Sequence, residues 1–133
     1  MSPVHPSDGH KLGHDLVFVP RIAKALVRYG ESFACRVLTP AERHHWQQLT
    51  TPHRQAEWLA GRIAGKEAIA KALGVGINGL GWAQGISWQD VSLMPQNNAP
   101  PMVVWVKKPA VHLNWQVSLS HDGDYVSAVV LGH

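Results

Sequence analysis

The chain has 133 residues, enough for one domain and too few for two ordinary ones. Hydrophobic residues make up 45% and charged residues only 16%, a balance that lets a chain fold around a real core. The lone Cys35 excludes an intrachain disulfide and a cysteine-built zinc site, and no run approaches the ~18 consecutive apolar residues of a membrane span. The excess of 12 Lys+Arg over 9 Asp+Glu, a net +3, suits an acidic partner or a phosphate-rich ligand without singling one out. The polar opening, Met1 to His10, lacks the apolar stretch of a secretory signal, so the expectation is a cytoplasmic protein with no membrane partner.

Residues 1–11 hold prolines, glycine and little apolar content and read as a mobile lead-in, with residues 12–133 forming one domain. Leu12 to Val19 is apolar and β-branched enough for a strand. Pro20 fits the first turn of a helix carrying Arg21 to about Tyr29, with Gly30 as its stop. Phe33 to Leu38 continues the apolar pattern without a clear period. Thr39-Pro40-Ala41-Glu42 predicts a capped helix start with a capping box, and Thr51-Pro52 opens the longest helix, about Pro52 to Leu73, ended by Gly74. Four strands follow: Ile86–Leu93, Met102–Val106, Trp115–Ser120 and Tyr125–Leu131. Pro95 to Pro101 reads as a turn-rich connection, and His121-Asp-Gly-Asp as a tight turn. One strand, then helices, then several strands predicts an α+β fold, helices packed on a largely antiparallel sheet.

Two tempting motifs fail on context. Gly74-Val-Gly-Ile-Asn-Gly79 matches GxGxxG, but here a helix ends and a strand follows, the reverse of a dinucleotide-binding turn. His10 and His14 have helical i,i+4 spacing, yet Gly9 and Gly13 argue against a helix, and no zinc site is expected. The long helix is more informative. Leu59, Ile63, Ala70 and Leu73 share one face, with Lys66 in its middle and Arg62 on its edge. Glu67 and Lys71 stand one turn apart beside the stripe Ala56, Ala60, Ala64 and Ala68. Spacing alone allows two readings: a solvated Glu67–Lys71 pair worth ~0.3–0.5 kcal/mol, or charges placed for a ligand that small alanines let come close.

Arg62-Ile-Ala-Gly-Lys66-Glu67-Ala-Ile-Ala-Lys71-Ala-Leu-Gly74 resembles the signature helix of the 4′-phosphopantetheinyl transferases. Gly13-His-Asp15-Leu-Val ahead of Arg21-Ile22 is similar to the other half of that signature. Val117-Ser-Leu-Ser120-His121 through Tyr125-Val-Ser-Ala128 resembles the family's final hairpin. Three blocks in this order, spread over about Leu12 to Leu131, are similar to the short bacterial holo-acyl-carrier-protein synthase branch.

That resemblance implies transfer of phosphopantetheine from coenzyme A to a serine of an acyl carrier protein, releasing adenosine 3′,5′-bisphosphate. It implies Asp15 and Glu67 as ligands of Mg2+, a hard cation that prefers carboxylates, water and phosphate. Lys71 matches the lysine placed against the phosphates, where its charge would stabilise the leaving group. Arg54, Arg62 and His121 match positions used around the nucleotide, and Gly74 to Gly76 border the adenine. Lys66 belongs to the signature, either as a packing residue or behind the site. Arg21, Lys24 and Arg28, spaced i, i+3, i+7, form one basic helix face that fits the acidic carrier protein, with Phe33 as an apolar anchor. The family's small members are trimers with active sites between protomers, which implies a homotrimer here.

The sequence also departs from the family. Phe18 stands where glutamate is usual, His14 precedes the metal aspartate, and Asn97-Asn-Ala-Pro100 lacks the usual glycine and lysine. A residue is inserted near Gly30. A catalytically weak member that only binds carrier protein or coenzyme A is the alternative. A nucleic-acid partner is not expected, because the basic residues form no dense cluster or known module.

Overall fold

Local signals in the chain set the ends of its elements. In the computed structural model, which describes residues 9–77 and 85–133, strand β1 (Lys11–Phe18) runs directly into helix α1 (Val19–Tyr29), with Pro20 in the first turn. Helix α2 (Glu31–Val37) resolves the stretch whose period was unclear in sequence. Gly30 at φ 65° separates it from α1. Helix α3 (Pro40–Trp46) begins with the expected capping box: Thr39 Oγ1 accepts from the Glu42 backbone N–H, and a Glu42 carboxylate oxygen accepts from the Thr39 N–H at 2.9 Å. Helix α4 (Pro52–Leu73) starts at Thr51 and ends at Gly74, which adopts the left-handed conformation at φ 72°.

The second half departs from expectation at two places. Ile86–Leu93 is not one strand: a 3-10 turn (Trp88–Asp90), capped by the Ser87 hydroxyl, breaks it, and strand β2 covers Val91–Gln96. Pro95 to Pro101 is mostly strand as well. β2 pairs with β3 (Ala99–Trp105) through a turn at Asn97-Asn98, with Asn98 at φ 54° and a bulge at Pro95. Both prolines that open β3 sit in a two-stranded hairpin, where a missing N–H is tolerated. Strands β4 (Trp115–Asp122) and β5 (Tyr125–Gly132) turn at Gly123-Asp124, so His121 belongs to β4 and not to the turn. β5 lies between β1 and β4 in an antiparallel three-stranded sheet. Strand β1 begins at Lys11, one residue before the expected strand start; residues 1–8, and Gly79 of the glycine loop, lie outside the described residues.

Helix α4 crosses the inner face of this sheet, and small residues make the crossing close. A methyl group at Gly13 would stand 1.8 Å from the Ala68 carbonyl oxygen, and one at Gly65 would stand 2.3 Å from a Leu93 methyl. Ala56, Ala60, Ala64 and Ala68 are buried, and so are Leu59 and Ala70 on the other stripe. The helix is therefore central rather than amphipathic. That explains why its charges do not segregate to one face.

Lys66, in the middle of the apolar stripe, is fully buried. Its ammonium donates three hydrogen bonds: to Val37 O (2.7 Å), Trp88 O (2.8 Å) and Glu42 Oε1 (2.6 Å). Burial pushes the Lys66 ammonium below its ordinary value, and the Glu42 charge opposes that shift. Glu42 Oε2 accepts from the Leu93 N–H at 2.7 Å, so both carboxylate oxygens are satisfied. Lys66→Met should cost about 3–5 kcal/mol, because the Glu42 charge is left buried without its partner. Urea unfolding checks this. The double variant Lys66→Met with Glu42→Gln should regain part of the loss, and a cost below about 1 kcal/mol for the single variant would contradict the account.

Candidate functional site

Gly13 and Asp15 lie two residues apart on β1 and so share its inner face, toward α4. The close approach at Gly13 brings Asp15 to the helix stripe that carries Glu67 and Lys71. Lys71 Nζ donates to Asp15 Oδ1 at 2.8 Å, with the lysine side chain 55% exposed and the aspartate 16%. The solvated Glu67–Lys71 pair that spacing allowed is thus replaced by a contact between strand and helix. The hydrogen bond to Asp15 raises the Lys71 ammonium above its usual value, and the charges of Asp15 and Glu67 act the same way. Lys71 is consequently a cation at neutral pH, able to stabilise an anion but unable to take a proton.

Glu67 is half-buried, and its carboxyl is raised above the ordinary range, first by burial and then by the Asp15 charge, with Lys71 opposing. Two carboxylates facing one ammonium leave a net negative charge in a partly desolvated place. That donor set fits a hard divalent cation that keeps several of its waters. Among the described residues no cluster of three or more His, Cys, Asp or Glu side chains converges as a protein-only metal cage. His14 does not join Asp15, since it points to the outer face of the sheet, with Nε2 3.2 Å from Ser127 Oγ.

A second charged cleft lies at the other end of α4. Arg54, Glu57, Trp58, Gly61 and Arg62 line it from the helix, with Leu119 and His121 from β4. Arg54 and His121 are exposed. Arg62 is buried, its Nε donates to Leu93 O at 3.0 Å, and burial lowers its ionisation to about 10 against the pull of Glu42. The Glu57 carboxylate lies 3.6 Å from His53 Nε2 and 3.6 Å from His121 Nδ1. Among the described residues no hydrogen bond or ion pair joins this cleft to the Asp15–Lys71 cluster. Along the helix axis, Arg62 and Glu67 are separated by roughly 7 Å.

The other predicted residues fall outside these two centres. Arg21, Lys24 and Arg28 are exposed on α1, as their spacing requires. Phe33 is half-buried against the core, whereas Val27, on α1 itself, is 89% exposed. Gly74 caps α4 and Gly76 follows it, both exposed. Sequence reasoning passed over Glu57 and Trp58, although each carried a spacing signal: Glu57 is one turn beyond His53, and Trp58 one turn before Arg62.

Residues 11–130 match the family described as the 4′-phosphopantetheinyl transferase superfamily. A holo-[acyl-carrier-protein] synthase of Gloeobacter violaceus is 40% identical over 127 residues, covering 91% of this chain and 90% of that protein. A crystal structure of the holo-(acyl-carrier-protein) synthase of Bacillus anthracis, in complex with CoA (3′,5′-ADP), superposes with a TM-score of 0.76 at 29% identity. It covers 92% of this chain and 94% of the other. The Helicobacter pylori holo-[acyl-carrier-protein] synthase in complex with coenzyme A gives a TM-score of 0.72 at 27% identity, covering 92% and 99%. A short α+β chain whose strand aspartate meets a helix lysine one turn from a half-buried glutamate, and whose relatives align along nearly its full length, belongs to the 4′-phosphopantetheinyl transferase superfamily.

Proposed function

We propose that this protein is a holo-[acyl-carrier-protein] synthase, transferring 4′-phosphopantetheine from coenzyme A to a serine of an apo acyl carrier protein and releasing adenosine 3′,5′-bisphosphate. The single transferase domain spans residues 12–133. The observation that carries the reading is the 2.8 Å contact of Lys71 with Asp15, one helical turn from Glu67. Asp15 and Glu67 would hold Mg2+, whose charge, when bound, neutralises pyrophosphate oxygens. Lys71 keeps its proton and places a fixed positive charge where the leaving phosphate accumulates negative charge. Arg54 and His121, exposed in the second cleft, supply donors for the nucleotide end, with Arg62 behind them. Arg21, Lys24 and Arg28 give an acidic helical partner its orientation.

The outer face of the three-stranded sheet supports a homotrimer. Leu12 (70%), Leu16 (54%), Phe18 (40%), Tyr125 (46%) and Val129 (44%) form an exposed apolar surface, with the Phe18 and Tyr125 rings 5.2 Å apart. Phe18 in place of the family's usual glutamate enlarges it. Sedimentation at micromolar concentration should give three times the chain mass, and a monomer there would remove this part of the reading.

The metal assignment predicts a split between activity and stability for Glu67→Gln. Because the folded carboxyl is raised, ionising it costs folding free energy once pH exceeds its titration range, and costs nothing where it is protonated in both states. Glu67→Gln should therefore melt higher than wild type at neutral pH and alike near roughly pH 4. Transfer of phosphopantetheine to apo carrier protein, followed as a mass gain, should fall by about a hundredfold or more. Near-normal transfer at limiting magnesium would overturn the assignment. No mass gain even with the wild-type protein would leave only a binding module.

The docking face makes a separate prediction. Arg28 is exposed, so Arg28→Glu should raise the KM for carrier protein by about fivefold at low salt and less at higher salt, with the KM for coenzyme A unchanged. Steady-state kinetics with each substrate varied measures this. Equal damage to both constants would place α1 in the nucleotide site.

A further inference from the structure

Arg62 is an unusual choice for a cleft-lining cation, because it is buried and its ionisation is already disfavoured. Two contacts hold its planar guanidinium. The first lies in the plane, where Nε donates to Leu93 O at 3.0 Å. The second is with an aromatic face: the guanidinium carbon sits over the Trp58 ring, 3.6 Å from its centre. A hydrogen bond alone would leave the group free to swing about its axis, and stacking alone would leave it free to slide. Together they define one orientation.

We propose that Trp58 is a positioning residue for the nucleotide end of coenzyme A, its indole face fixing the Arg62 guanidinium at the cleft shared with Arg54 and His121. This rests on the reading of that cleft given above. Tryptophan suits the task because its face attracts a cation most strongly among the aromatic side chains, and the attraction grows when the cation has lost its water. Trp58 is half-buried and itself lines the cleft, so it is not simply filling the core. His45 from α3 also stacks on the indole, with ring centres 5.3 Å apart and planes 24° from parallel. Burial, then the charges of Arg62 and His44, hold His45 below the ordinary histidine value, so it is neutral at neutral pH and does not compete as a second cation.

The test combines calorimetric titration with adenosine 3′,5′-bisphosphate and steady-state kinetics. Trp58→Leu should weaken bisphosphate binding and raise the KM for coenzyme A by about five- to thirtyfold. Its kcat and its KM for carrier protein should stay within about twofold. Trp58→Phe, which keeps an aromatic face, should recover most of the loss. In an Arg62→Lys background, where the planar group is gone but the charge remains, Trp58→Leu should add less than about a further twofold. Three results overturn the proposal: equal damage from Trp58→Leu and Trp58→Phe, an undiminished effect of Trp58→Leu in the Arg62→Lys background, or no effect of Trp58→Leu on affinity. Arg54→Ala, at an exposed position in the same cleft, separates this failure from failure of the underlying reading. Weakened bisphosphate binding by Arg54→Ala with normal Trp58→Leu removes only the role of Trp58. Unchanged binding by Arg54→Ala removes the nucleotide from this cleft and the inference with it.

Discussion

The buried Glu42–Lys66 pair ties helices α2, α3 and α4 to the 3-10 turn and to β2. Lys66 on α4 reaches the last carbonyl of α2 and a carbonyl of the 3-10 turn, while Glu42 on α3 holds the N-terminus of its own helix and a backbone N–H of β2. Five chain segments thus meet at two side chains. A burial cost of several kcal/mol per ion is offset only because every donor and acceptor of both groups has a partner. An apolar pair of the same volume would fill the space without specifying which carbonyls and amides meet there. The pair therefore fixes where α4 lies relative to β2 and α2, and everything that α4 carries inherits that position.

Adjacent residues on α4 then take opposite electrostatic fates. Lys66 is buried and fully satisfied, whereas Glu67 is half-buried and faces another carboxylate with only Lys71 to offset them both. The first arrangement has no use for a ligand. The second leaves two carboxylates beside a single ammonium, with Glu67 raised by burial and by the Asp15 charge.

Much of this was legible in sequence because the signals were local. Thr39 with Glu42, Thr51 with Pro52, and Gly74 marked helix ends through backbone chemistry that acts within a few residues, and all three hold. The break at Trp88–Asp90 was not legible, since Ser87 and Asp90 form their capping box inside an apolar run that reads as strand. The prolines near Asn97 suggested a loop, because the sequence does not show that β3 pairs with one neighbour only in its sheet. At the site, Asp15, Glu67 and Lys71 could be brought together only through resemblance. Nothing in their spacing says that β1 crosses α4 at Ala68. Lys66 showed the reverse: its place on an apolar stripe pointed to burial, but its partner Glu42 lies on another helix and had already been assigned to a cap. The single residue served both purposes.

Gly13 ties recognition of the strand to its chemistry. If β1 slipped by one residue against β5, a side-chain-bearing residue would meet the Ala68 carbonyl, and Asp15 would turn to the outer face of the sheet. The missing side chain thus acts as a register pin, admitting one alignment of the strand and rejecting its neighbours by collision. The pin and the carboxylate are two residues apart, and the helix supplies a small residue, Ala68, between a carboxyl and an ammonium one turn apart. These few positions form a portable module: a designer who wished to carry the charged cluster to another strand-on-helix crossing would need to move the glycine with it.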